Sequence, residues 1–111
     1  MQAVVFDAIR EPQLRDAKTV ADAKAQLETS YAWLENHLAG KQWAAGDDFT
    51  LADCAAAPAL FYADWTHPIA EKFGKVRAYR QRLNARPSYA RALEEARPFR
   101  QYFPLGAPER D

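Results

Sequence analysis

A chain of 111 residues fits one domain and can bury enough apolar surface to fold without disulfide or metal staples. Its 49% hydrophobic and 27% charged residues exclude an intrinsically disordered segment. Fifteen Lys and Arg against fifteen Asp and Glu leave no net positive field for nucleic acid or anionic lipid, and the single cysteine, Cys54, excludes an internal disulfide or a cysteine cluster for a metal.

The N-terminal stretch Met1 to Asp7 lacks a leader pattern, and no uncharged segment approaches membrane-spanning length. The expectation is a cytoplasmic protein with no membrane, nucleic-acid or metal partner. Val4, Val5, Ala8 and Ile9 fall at helical spacing, giving a short first helix that closes near Arg10, before Glu11-Pro12. After a polar stretch to about Lys18, Val20, Ala23, Leu27, Tyr31, Leu34 and Leu38 mark one face of a second helix, stopped by Gly40.

Gly46-Asp47-Asp48 is a turn cluster, and a third helix starts behind it and ends at Thr66-His67-Pro68. Thr50 and Asp53 have capping-box spacing, in which the hydroxyl accepts from the backbone and the carboxylate reaches back to the N-cap N–H. Phe49 and Cys54 are placed for a hydrophobic staple, and the Ala-rich helix, apolar on nearly all sides, is expected to run through the middle of a bundle. Pro58 removes one donor from it, so a local bend is expected. Val76, Tyr79, Arg80 and Leu83 mark a fourth helix stopping before Arg86-Pro87. Pro87 opens a fifth, with Tyr89, Ala92, Leu93 and Ala96 on its face. The proline-containing tail is expected to be irregular, pinned by Phe99, Tyr102 and Phe103.

The segment Gly46-Asp47-Asp48-Phe49-Thr50-Leu51-Ala52-Asp53 resembles the signature that opens the central helix of the glutathione S-transferase C-terminal domain. Tyr31-Ala32-Trp33-Leu34-Glu35 and Leu83-Asn84-Ala85-Arg86-Pro87-Ser88 resemble the same family at the expected separations, and the likeness is nearest to bacterial members. The resemblance covers residues 1–111 and implies an all-α fold, a bundle of about five helices forming one domain. A complete family member also has a thioredoxin-like domain, which binds glutathione and carries the residue that activates its thiol; that domain is expected to be missing here, with Met1 falling partway along a first helix.

The resemblance therefore implies that no catalytic residue lies in this chain and that glutathione is a cosubstrate of the family, not bound by this chain alone. The chain would supply the wall of a site for a small hydrophobic electrophile and part of a homodimer or interdomain contact. Tyr62 aligns with a position that faces the cleft in similar family members, although a core tyrosine with one hydrogen bond is the competing reading. Phe6, Ile9, Arg10 and Phe103 are expected to line the same cleft. Asp53 is read as a structural cap, Cys54 as an inert core residue, and His37 and His67 as surface or helix-end residues without metal-ligand spacing. Arg80, Arg82, Arg86 and Arg91 are read as a solvated face. Against the transferase reading stands a non-catalytic dimerisation or interaction module with the same fold.

Overall fold

A computed structural model describes residues 1–111. It contains five α-helices: α1 (Gln2–Ile9), α2 (Ala17–His37), α3 (Leu51–Thr66), α4 (Gly74–Ala85) and α5 (Pro87–Ala96), with 3₁₀ turns at Pro12–Leu14 and Arg97–Tyr102. There is no strand, only an isolated bridge between Trp43 and Gly46 that closes the turn before α3.

The helix boundaries follow from local chemistry. Asp16 caps α2 by accepting the Lys18 N–H at 3.0 Å. Gly40, at φ +72°, takes the left-handed conformation that ends the helical path after Leu38. At α4 the N-cap is Phe73, whose side chain cannot accept a hydrogen bond. Glu35 of α2 does the capping from outside, accepting the Lys75 N–H at 3.0 Å and the Val76 N–H at 2.9 Å.

The main core joins Tyr31 of α2 and Leu38 just after it with Ala57, Leu60 and Ala63 of α3 and Val76, Tyr79 and Leu83 of α4, closed by Ile69 and Phe73. Its centre is α4, which packs against α2, α3 and α5. The Ala-rich α3, expected to be surrounded, is instead exposed along Leu51, Ala55, Pro58, Ala59 and Tyr62, and Leu51 is 83% exposed. The reason is geometric: burying Asp53, Ala57, Leu60, Phe61 and Asp64 fixes the inward face, and positions between them turn outward. Small apolar residues on that outer face made the helix look buried on all sides.

The tail also departs from expectation. Arg97–Tyr102 continues α5 as a 3₁₀ helix, with Pro98 in its first turn, where the missing N–H is tolerated. Beyond it the chain turns back, and Phe103 and Ala107 pack on a second small core of Phe61, Trp65 and Leu93.

Candidate functional site

Thr50 and Asp53 form the capping box at the start of α3: the threonine hydroxyl accepts the Ala52 N–H at 3.3 Å and Asp53 accepts the Thr50 N–H at 2.8 Å. Asp53 does more than cap. Its carboxylate, fully buried, also accepts the Ala44 N–H at 2.9 Å and the Tyr79 hydroxyl at 2.5 Å. Burial pushes its pKa up, but the Ala44 and Thr50 N–H groups and the Tyr79 hydroxyl outweigh that and hold it below the ordinary 3.8. One side chain thus ties the loop before α3, the start of α3 and the middle of α4 together.

Cys54 is exposed, not a core residue, because the box turns Asp53 inward and the next position outward. Phe49 finds Trp43 edge-on at 5.2 Å and the Arg86 guanidinium at 3.4 Å from its ring centre. Pro58 is exposed too, so the gap it leaves in the α3 hydrogen-bond ladder lies on the outer side.

The arginines read as a solvated face divide their tasks. Arg80 is 8% exposed and pairs with buried Asp64 at 3.2 Å. Burial lowers its pKa, with Asp64 opposing. Arg82 donates to the Gln42 carbonyl, Arg86 covers Phe49, and only Arg91 remains a surface residue, paired with Glu95 at 2.8 Å. The charges that bury Arg80 lie far off in sequence: Asp64 sits in α3, and the Asp111 carbonyl accepts from Arg80 at 2.9 Å. Asp64 also accepts from Arg110, and the Asp111 carboxylate from Arg97 and Arg100.

His37 stacks on Trp33 at 4.7 Å and bonds the Ala44 carbonyl at 2.7 Å. His67 caps the end of α3 and lies 3.3 Å from Glu28. No group of three or more His, Cys, Asp or Glu side chains has metal-binding geometry.

A largely apolar groove of about 430 Å³ lies between α3, α5 and the tail. Phe61, Tyr62 and Trp65 of α3 form its floor, Tyr89 and Leu93 of α5 one side, and Tyr102 and Phe103 the other. The rings meet in edge-on and tilted pairs: Tyr62 is 5.7 Å from Trp65 and 5.9 Å from Phe103, and Trp65 is 5.3 Å from Phe103. Burial pushes the Tyr89 phenol up to about 12, so it stays neutral. Tyr62 is 41% exposed, so it is not a core tyrosine. The structure thus brings Tyr62 and Phe103 together. Phe6 and Ile9 of α1 and Arg10 just after it lie exposed and are not among the residues of this groove.

Trp65, Tyr89 and Arg100 also belong to the groove. Sequence reasoning had a usable signal for the first, since Phe61 and Trp65 are spaced by one helical turn. It had none for Arg100, whose place depends on how the tail folds back.

Two comparisons bear on this arrangement. The sequence matches the family described as "Glutathione S-transferase, C-terminal domain" over residues 1–87. It is 44% identical over 48 residues to a glutathione S-transferase-like protein of a Fusarium species, a match covering 43% of this chain and 22% of that relative. The aligned part is thus about a fifth of that relative's length. No solved structure gives a significant match. No helix is long and apolar enough to cross a membrane. With a family match over most of its length and a strand-free bundle of five helices, the chain belongs to the glutathione S-transferase C-terminal domain family.

Proposed function

We propose that residues 1–111, taken as one helical domain of bacterial type in a cytoplasmic setting, are the electrophile-binding half of a glutathione transferase. The observation that carries the reading is the aromatic groove on which Tyr62 and Phe103 meet. Its floor and walls are flat, apolar and only partly closed, which suits a small hydrophobic electrophile. This chain's part in the reaction is to hold that electrophile still and away from water. Glutathione, the cosubstrate, supplies the thiolate that attacks it.

The activating group for that thiol would come from a thioredoxin-like domain. The outward face of α3, with Leu51, Ala55 and Tyr62, and the exposed Phe6 and Ile9 of α1 provide apolar surface for that domain or for a second copy of the chain. Phe6, Ile9 and Arg10 would then join the site from that side.

Titration with a chromogenic aryl halide, followed by calorimetry, tests the groove. Tyr62→Ala and Phe103→Ala are each expected to weaken binding about three- to tenfold, since an aromatic contact contributes about 0.5–1.5 kcal/mol. Turnover should appear only when a glutathione-binding thioredoxin-like domain is added. Unchanged aryl-halide affinity in both variants would sink the reading.

A further inference from the structure

Past Phe103 the chain is fastened to the bundle at few points. Its one backbone–backbone hydrogen bond, from the Gly106 N–H to the Phe103 carbonyl at 2.9 Å, lies within the segment itself. Two kinds of contact hold residues 103–111 down. Phe103 and Ala107 rest on the small core of Phe61, Trp65 and Leu93, and the charged contacts are confined to Arg110 and Asp111. Arg110 donates to Asp64, the Asp111 carboxylate accepts from Arg97 and Arg100, and the Asp111 carbonyl accepts from Arg80. Phe103 and Pro104, at the near end of the segment, line one side of the aromatic groove.

This clasp can be undone without orphaning a buried charge. When Arg110 and Asp111 leave, Asp64 keeps Arg80 at 3.2 Å and the Ile69 N–H at 2.8 Å. Arg80 also keeps the Phe61 ring, whose centre is 5.2 Å from its guanidinium. Arg97 keeps Glu94, and Arg100 keeps the Trp65 ring at 5.4 Å. Arg110 and Asp111 themselves pass into water, where a lone charge is well solvated. The two Asp111 pairs are partly open to solvent, so dissolved salt screens them, whereas the Arg80–Asp64 pair beneath, 9% exposed on both sides, is shielded.

We propose that residues 103–111 are a strap that opens and closes one side of the aromatic groove, swinging from the end of the 3₁₀ turn at Tyr102, with Arg110 and Asp111 as a clasp that salt loosens. The inference goes beyond the proposed function, since the opening needs no ligand; only its control of entry rests on the groove being a ligand site. Closed and open forms differ by a few exposed ion pairs and two apolar contacts, so a modest change in ionic conditions shifts their populations while the bundle stays folded.

The test follows a thiol placed in the strap of the intact chain. Ala107→Cys, made together with Cys54→Ser, puts it where the side chain is half-buried on the small core, so a thiol-labelling reagent reaches it in proportion to the open form. Adding Asp111→Asn removes both solvent-open pairs and should raise the labelling rate about two- to fivefold. The amide protons of Tyr79 and Leu83 should exchange with deuterium as slowly as before. High sodium chloride should raise labelling similarly when Asp111 is intact, and add little once Asp111→Asn is present. Association of the neutral dye phenylnaphthylamine, followed by stopped-flow fluorescence, should quicken in step. A labelling rate indifferent to Asp111→Asn and to salt overturns the clasp, as does a rise shared by the Tyr79 and Leu83 amides, which would mean general unfolding. Faster labelling with unchanged dye association overturns the control of entry. If the dye does not bind at all, the ligand reading of the groove falls, and the strap stands or falls on the labelling rate alone.

Discussion

Asp53 accepts from the loop, from the N-cap and from Tyr79 of another helix, so its loss should exceed that of an ordinary cap. Asp53→Asn removes the charge and turns an NH2 donor towards donors, and is expected to destabilise by about 2–3 kcal/mol in urea unfolding. Tyr79→Phe removes one of the three partners and should cost about 1–2 kcal/mol. The sign of the pH effect follows from the carboxylate being held below its ordinary 3.8. Its contribution is complete at neutral pH, is present above the unfolded-state value, and fades as pH falls through the lower folded-state value. The unaltered chain should therefore lose stability as pH falls below about 4, and Asp53→Asn should show a shallower fall over that range. An identical acid profile in the two proteins would contradict this account. The sequence revealed the capping half of Asp53, because box spacing is local. It could not reveal Ala44 and Tyr79, which reach the carboxylate only through the tertiary fold.

At the level of elements, α3 is organised by its first turn and interrupted by Pro58. Thr50→Ala should lower the unfolding free energy by about 1 kcal/mol, less than Asp53→Asn, because it leaves the Ala44 and Tyr79 contacts standing. Thermal unfolding of both variants would rank them. Helices α1 to α5 were all legible, since each has a periodic apolar face and a glycine, proline or cap at its ends. What misled was composition. Alanines on the outer face of α3 carry no polar signal, so an exposed stripe reads as core. The 3₁₀ continuation at Arg97–Tyr102 was hidden for the opposite reason: prolines suggest irregular chain, yet Pro98 falls where a helical turn accepts it. The central packing role of α4 was hidden too, because its large apolar residues Val76, Tyr79 and Leu83 are few, though nearly inaccessible.

Across the whole molecule, charges join the apolar contacts of Phe103 and Ala107 in fastening the end of the chain to the bundle. Arg80 of α4 sits between Asp64 of α3 and the Asp111 carbonyl, while Arg110 reaches Asp64 and Arg97 and Arg100 hold the Asp111 carboxylate. Removing the negative partner leaves a buried guanidinium uncompensated, so Asp64→Asn is expected to destabilise by about 3–5 kcal/mol in chemical denaturation. The double change Asp64→Leu with Arg80→Met should recover much of that, since well-packed apolar substitutes for a buried pair are often neutral. Full destabilisation in the double variant would show that the pair itself, not its incompleteness, matters. This network was illegible in the sequence. Arginine is ordinarily a surface residue, and only the folded chain brings the partners together. In the groove, Tyr62 and Trp65 sit on α3 and Tyr89 on α5, positions that helical periodicity can suggest, whereas the place of Arg100 depends on how the tail folds back.

The helix α1 buries only Val4 and Asp7 and packs chiefly on α2. Its attachment is a thin one: Asp7 accepts the Asp16 N–H at 2.7 Å, and Arg15 donates to the Ala8 and Arg10 carbonyls. Amide protons of Val4 to Ile9 should therefore exchange with deuterium long before those of Tyr79 and Leu83, as expected of a segment that opens without the rest unfolding. Anything that came to rest against Phe6 and Ile9 would slow that exchange selectively, so the same amides would report the arrival of a neighbour.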